Sequence, residues 1–128
     1  MPDTAATMVV VDAERYTTVL LTGELDRRHA PAVQHRLRDL ARGRPLVLDL
    51  AGVAFIDAAG MRAIAIAAAH SAEHGAGLAV VGLRPFTAKM FRILGMHERI
   101  PLCTSTEEAL ACLIPPTDAQ IHHWLTET

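Results

Sequence analysis

The sequence predicts a single α/β domain with a mixed, mostly parallel sheet, on three observations. Short apolar runs that read as buried strands alternate with stretches of ten or more residues at helical spacing. Gly43-Arg44-Pro45 and the pair Gly75 and Gly77 break the chain between such runs. The apolar fraction is 51%, and 22 of the 128 residues are alanine, a composition suited to helices packed closely on a sheet. At this length one core can bury roughly two-thirds of the surface that the unfolded chain exposes. The domain is expected over residues 1–114, with a tail at 115–128 that holds a short amphipathic helix.

Met8–Val11 and Thr17–Leu21 read as two strands across Asp12-Ala13-Glu14-Arg15, a polar break of hairpin length. The second strand is expected to run out in Thr22-Gly23-Glu24-Leu25-Asp26. A helix from about His29 to Arg42 collects Ala30, Val33, Leu37, Leu40 and Ala41 on one face, with Gln34, Arg38 and Arg42 opposite. Pro31 falls in its first turn, where proline is tolerated. Gly43-Arg44-Pro45 breaks it. Leu46–Leu50 is the central strand, followed by an Ala51-Gly52-Val53 turn. A second helix runs from Ala58 to about His74 and is closed by Gly75 and Gly77. Leu78–Leu83 is another strand. Pro85 opens a third helix that is expected to bury Phe86, Met90, Ile93 and Leu94 before Gly95 stops it. Ile100-Pro101-Leu102 is a short edge strand. Ser105-Thr106-Glu107-Glu108 reads as a capped start of a helix running to Leu113. This order implies crossover connections, a four- to five-stranded sheet and about four helices.

Between the central strand and the second helix lies Phe55-Ile56-Asp57-Ala58-Ala59-Gly60-Met61. Asp57 is placed to accept bonds from the unpaired N–H groups of the first helical turn. Gly60 has no side chain and lets another surface come close to the helix start. The helix itself is apolar nearly all round. Met61, Ile64, Ala65 and Ala68 can face the sheet, while Ala59, Ala63 and Ile66 form an adjoining face with only Arg62, His70 and Glu73 for polarity. The second apolar side is covered either by the third helix or by a partner.

Other function classes fall away on composition and spacing. Net charge is −2, and the basic residues, eleven of twelve being arginine, are scattered, which argues against nucleic acid. Arg36, Arg38 and Arg42 read as the wet side of a helix. The longest apolar run, Ala63–Ala69, is far short of the ~20 residues of a membrane span. Met1-Pro2-Asp3-Thr4 has no signal-peptide pattern. Cys103 and Cys112 lie nine apart, neither a metal spacing nor a disulfide framework, and a redox pair is the lesser reading. The cytoplasm is the expected compartment. His70-Ser71-Ala72-Glu73-His74 matches a zinc-protease pattern, H-x-x-E-H. A third ligand and a cleft are missing, and histidines suit the negative end of a helix. No nucleophile or phosphate-cradling signature occurs. Asp26, Asp49 and Asp57 sit near strand ends, where carboxylates could meet on one edge of the sheet, but turn formation and capping account for them better. Catalytic residues, metal and cofactor are all expected to be none.

Gly23-Glu24-Leu25-Asp26, Val47-Leu48-Asp49-Leu50 and Phe55-Ile56-Asp57-Ala58-Ala59-Gly60-Met61 together resemble the STAS domain of sulphate transporters and anti-sigma factor antagonists. Val81-Gly82-Leu83-Arg84-Pro85-Phe86 and Leu94-Gly95-Met96 fit the same pattern, so the resemblance covers about residues 8–113. It implies an α/β binding module with no enzymatic activity. The implied partner is an anti-sigma factor that is itself a serine kinase. In that family the joint usually reads Asp-Ser-Ser-Gly or Asp-Ser-Thr-Gly, and the hydroxyl just before the glycine takes the phosphate. Here that position is Ala59, next to Ala58, so the usual switch is absent. The resemblance assigns partner contact to Glu24, Asp26, Asp57, Ala58, Ala59, Gly60, Met61, Arg62 and Ile66.

Two rival readings remain open on the sequence. One is a STAS subunit bound to the ATPase of a lipid transporter or to a signalling scaffold. The other is a small-molecule or nucleotide sensor using Asp26, Asp49 and Asp57. In the tail, Pro115-Pro116 ends the domain and Thr117-Asp118 reads as a cap. Ile121, Trp124 and Leu125 follow at i, i+3 and i+4, a face that either docks on its own domain or forms a homodimer or partner contact.

Overall fold

Five strands form one sheet whose spatial order is the chain order, β1-β2-β3-β4-β5. The structure is a computed structural model that describes residues 6–114 and 118–126. The strands are β1 (Thr7–Asp12), β2 (Thr17–Leu25), β3 (Leu46–Ile56), β4 (Leu78–Val81) and β5 (Leu102–Cys103). β1 pairs antiparallel to β2, and every later pair is parallel. The helices are α1 (Ala30–Leu40), α2 (Ala58–Glu73), α3 (Pro85–Ile93), α4 (Thr106–Leu113) and α5 (Asp118–Thr126), with a 3-10 turn at Met96–Glu98.

Strand alternation sorts the side chains into two layers. Val19, Leu21 and Leu25 of β2, Leu46, Leu48 and Leu50 of β3, and Leu78 and Val80 of β4 join Val33, Leu37, Met61, Ile64, Ala67 and Phe91 in the main core. Full burial of such a side chain stabilises the fold by roughly 1.5–3 kcal/mol. The alternate residues Val47, Ala79 and Val81 point the other way, onto Ala109, Leu110 and Leu113 of α4. All four residues of β4 are buried because both of its faces are covered. α4 begins as expected: Ser105 Oγ accepts from Glu108 N at 3.1 Å. Its cover does not reach β1 and β2, where Val9 and Val11 are more than half exposed.

Four features differ from the sequence expectation. β2 and β3 do not stop at Gly23 and Leu50. They continue as a pair through Thr22↔Gly52, Gly23↔Val53, Glu24↔Phe55 and Leu25↔Ile56, with register shifts between Leu20 and Thr22 and between Gly23 and Glu24. The glycines that read as turn signals serve an irregular ladder instead. Gly23 adopts φ 92, and a Cβ on Gly52 would lie 2.6 Å from Thr22 Cγ2.

α3 buries Phe91 and leaves Phe86, Ile93 and Leu94 exposed at 75%, 65% and 55%. Pro85–Ile93 carries apolar residues on more than one side, so periodicity alone does not choose the rotation. The second flank of α2 is covered by α1, which packs along it, rather than by α3. A groove between Ala65, Ala68, Ala69 and Ala72 of α2 and Leu94-Gly95-Met96 separates α2 from the α3 side. The last strand lies at Leu102–Cys103, just beyond the proline.

The tail helix forms at Asp118–Thr126. The break at Pro115-Pro116, a cap at Thr117 and the first residues, Met1-Pro2-Asp3-Thr4, lie outside the described residues. Ile121, Trp124 and Leu125 are exposed, so this face is not part of the domain core. Among the described residues no helix is long and apolar enough to cross a membrane.

Candidate partner-binding site

The long β2 and β3 carry their ends beyond the sheet to meet the start of α2. Asp57 N donates to Leu25 O at 3.3 Å. The Asp57 carboxylate then joins two segments: Oδ1 accepts from Gly60 N at 2.9 Å, and Oδ2 accepts from Arg27 N at 2.9 Å. The first bond is a helix cap, a device worth about 1 kcal/mol. The second ties the cap to the β2–α1 loop.

Gly60 is fully enclosed. A Cβ there would stand 2.2 Å from Leu25 O and 2.8 Å from Ile56 Cγ1. The surface that approaches this glycine is therefore the end of β2 and β3 in the same chain. Met61 is also buried and belongs to the main core.

Asp26 builds the neighbouring loop. Its Oδ1 accepts from Arg28 N at 3.0 Å and from His29 N at 3.2 Å, and its backbone oxygen accepts from Ala30 N at 2.7 Å. The Arg28 guanidinium lies 3.2 Å from Asp26 Oδ2 and 3.8 Å from Glu24. His29 Nδ1 is 2.8 Å from Asp26 Oδ1 but is not aligned for a hydrogen bond. Desolvation works to raise the Asp26 carboxyl, and the bonds from the Arg28 side chain and the His29 backbone outweigh it, so the group sits below its ordinary value.

What remains for contact is an exposed rim. Ala58, Arg62, Phe55, Arg27 and Arg28 are exposed, Ala59 is half-buried in the first turn, and Ile66 is half-buried further along α2. Asp26, Arg27, Arg28, Phe55 and Asp57 line a shallow recess of 460 Å³. Phe86 starts α3 at the end of β4 that, in a parallel sheet, lies on the same edge as the ends of β2 and β3. Arg28 is paired with both acids of the loop, which leaves Arg27 and Arg62 as the exposed cations of the rim beside the positive end of α2. Sequence reasoning passed over Arg27, Arg28 and Phe86. The arginine pair directly after Asp26 is the signal that could have found two of them.

The other candidates do not join this site. Asp49 lies within β3 and its Oδ1 accepts from Ala51 N at 2.9 Å. His70 and His74 lie at the opposite end of α2, and among the described residues no group of three metal-ligating side chains converges. Cys103 and Cys112 are free. Burial, and then the Cys112 thiol beside it, push Cys103 up to about 11.

A sheet grown in chain order, with an antiparallel first strand and a capped helix at the β3–α2 joint, is the STAS fold. The family model described as Mlab, STAS domain matches residues 8–104, and the chain belongs to that family. An anti-sigma factor antagonist from Mycobacterium paratuberculosis is similar at 25% identity, with 89% of this chain and 98% of that one covered and a TM-score of 0.74. An anti-sigma-factor antagonist (STAS) domain protein from Planctomyces limnophilus shares the fold at 17% identity, covering 82% and 96%, with a TM-score of 0.72. The Bacillus cell fate determinant SpoIIAA in its phosphorylated form shares it at 16% identity, covering 81% and 96%, with a TM-score of 0.63. A comparison with curated protein sequences finds no match.

Proposed function

We propose that this chain is a regulatory protein-binding module of the anti-sigma factor antagonist type, acting in the cytoplasm on an anti-sigma factor of the serine-kinase class. The observation that carries the reading is the exposed rim of Phe55, Ala58 and Arg62 at a capped helix start, in a chain that resembles an antagonist along nearly its whole length. Asp57 holds that helix start against the β2–α1 loop, so the contact surface exists before the partner arrives and little ordering cost falls on binding. Phe55 supplies apolar area. Ala58 and Ala59 allow close approach, and Arg62 adds charge. Glu24 and Asp26 hold Arg28 in place. Gly60 and Met61 act from inside, as the frame. Ile66 extends the apolar side along α2.

Ala59 gives this reading its particular form. SpoIIAA has been solved both unphosphorylated and phosphorylated. The sequence resemblance puts Ala59 at the phosphoacceptor position, where a phosphate would add about −1.5 to −2 charges to the contact surface. Alanine accepts none, so binding is not switched off there. The test is affinity capture of the full chain with mass-spectrometric identification, followed by binding assays on the captured kinase. Wild type is expected to bind with or without ATP, and Ala59→Asp to bind at least tenfold more weakly. Phosphate incorporation with loss of binding overturns the constitutive form of the proposal. Unchanged binding by Ala59→Asp overturns the site.

A second reading is favoured by the family model, which carries the name Mlab. Under it the same rim seats on the ATPase of a lipid-importing transporter. Capture of an ATPase in place of a kinase selects this reading.

A further inference from the structure

The far end of α2 carries a cluster that partner binding at the helix start does not use. α1 presents His35, Arg38, Asp39 and Arg42 at i, i+3, i+4 and i+7, one stripe of one helical face that continues just past its last turn. α2 presents His70 and His74 at i and i+4. The six side chains line one open recess of 490 Å³ between the two helix ends. The histidine rings lie 4.3 Å apart. His74 Nδ1 is 2.9 Å from the His70 carbonyl oxygen. A carbonyl only accepts, so Nδ1 carries the hydrogen and Nε2 is the nitrogen left to gain a proton.

Charge decides what such a recess attracts. Asp39 is its one carboxylate, and it is shared between Arg42 at 3.3 Å and His35 at 3.7 Å. Arg38 has no carboxylate partner among the described residues. The carbonyl ends of α1 and α2 each contribute about half a negative charge, which offsets the surplus guanidinium. With neutral imidazoles the recess is thus close to neutral, and a proton taken up by His70 adds a full positive charge. Burial first, then the positive fields of His74, Arg38 and Arg42, hold the His70 imidazole below its ordinary value, with Glu73 on the outer side of α2 acting in the opposite sense. An anion in the recess would cancel that field and let His70 take its proton.

We propose that this recess is a proton-gated site for a compact tetrahedral oxyanion, inorganic phosphate or the phosphoryl group of a monoester, held by Arg38 and Arg42 and by the protonated ring of His70, with His74 beside it. Two guanidiniums at the site repel a divalent cation, and among the described residues no three ligating side chains converge to hold one. The site is independent of the partner reading, since it lies at the opposite end of α2 and uses none of the same residues.

The test follows the histidine ring resonances of the full chain by NMR at about pH 6 and pH 7.5, at constant ionic strength. Sulfate is the first probe because its charge is fixed across that range. Saturable shifts of His70 and His74 are expected, with His70 titrating at higher pH in the presence of sulfate. Affinity should be at least tenfold greater at the lower pH, since one proton taken up with the ligand across that 1.5-unit range changes it by up to about thirtyfold. Arg38→Gln with Arg42→Gln should abolish the shifts. Both side chains are exposed, so the doubly substituted chain keeps its melting temperature. Inorganic phosphate and phenyl phosphate form two further arms: equal affinity identifies a free-anion site, and tighter binding of the ester identifies a phosphorylated ligand. Absence of a saturable shift, equal sulfate affinity at the two pH values, or unaltered binding by the double variant overturns the proposal. So does tighter binding of zinc than of any oxyanion.

Discussion

The two ends of α2 solve different problems with the same helix. At its start, the Asp57 carboxylate is committed to holding the fold. Asp57 bonds Gly60 N and Arg27 N, and Gly60 admits the end of β2. At its finish, His70 and His74 face a recess in which Arg38 has no carboxylate partner among the described residues. The first end is rigid because backbone bonds and sterics define it. The second is adjustable because it is defined by charge, which changes with pH. A capped end presents a fixed shape, and a charged end presents a condition.

Substitutions and pH separate the two ends. The largest effect is expected from Gly60→Ala. Its methyl would stand 2.2 Å from Leu25 O, so backbone must move, at a cost of about 3 kcal/mol or more. The urea-unfolding midpoint measures it, and a loss under about 1 kcal/mol would mean that this joint yields easily. Asp57→Ala comes next, with a loss of about 1–2 kcal/mol from the cap and the tie to Arg27. Asp57→Asn should recover much of it, because the amide oxygen still accepts from Gly60 N.

The smallest effects are those of pH, and they fall in two windows. His70 in the folded chain lies below the 6.5 of a free imidazole. The unfolded chain therefore takes the proton first, and stability declines as pH drops from about 6.5 toward the folded value of His70. Asp26 lies below 3.8, so its contribution is complete above that pH and is lost as pH falls through its lower folded value. Glu108, held down by the Thr104 side chain and backbone, adds to this acid window. Unfolding midpoints measured from pH 8 to pH 3 should show both declines. His70→Gln should remove the upper one, and Asp26→Asn should reduce the lower.

Much of the fold could be read from the sequence where one signal decides one feature. Asp57 before an alanine-rich run is a cap in either account, and Ser105 before Glu108 is another. The apolar runs Leu46–Leu50 and Leu78–Val81 read as buried strands and lie in the interior of the sheet. Legibility failed where a residue type has two uses. Gly23 and Gly52 look like turn residues, and here they relax the ladder of two strands that run on past them. Phe86, Ile93 and Leu94 looked like a core stripe, yet Phe91 is the residue of α3 that the core accepts. Gly60, with no side chain, suggests room for another surface, and the room is taken by Leu25 and Ile56. Each miss turns on how two distant segments meet, which local pattern does not encode.

The sequential order of the strands bears on how the protein is made. No strand has to be inserted between two others already in place. A chain emerging from its N-terminus can dock each new strand and crossover helix against the last, so the growing sheet always offers its next edge to the segment that is synthesised next. The growing edge is covered within a few tens of residues, and on that side the finished sheet ends in β5, only two residues long, too short to template further pairing.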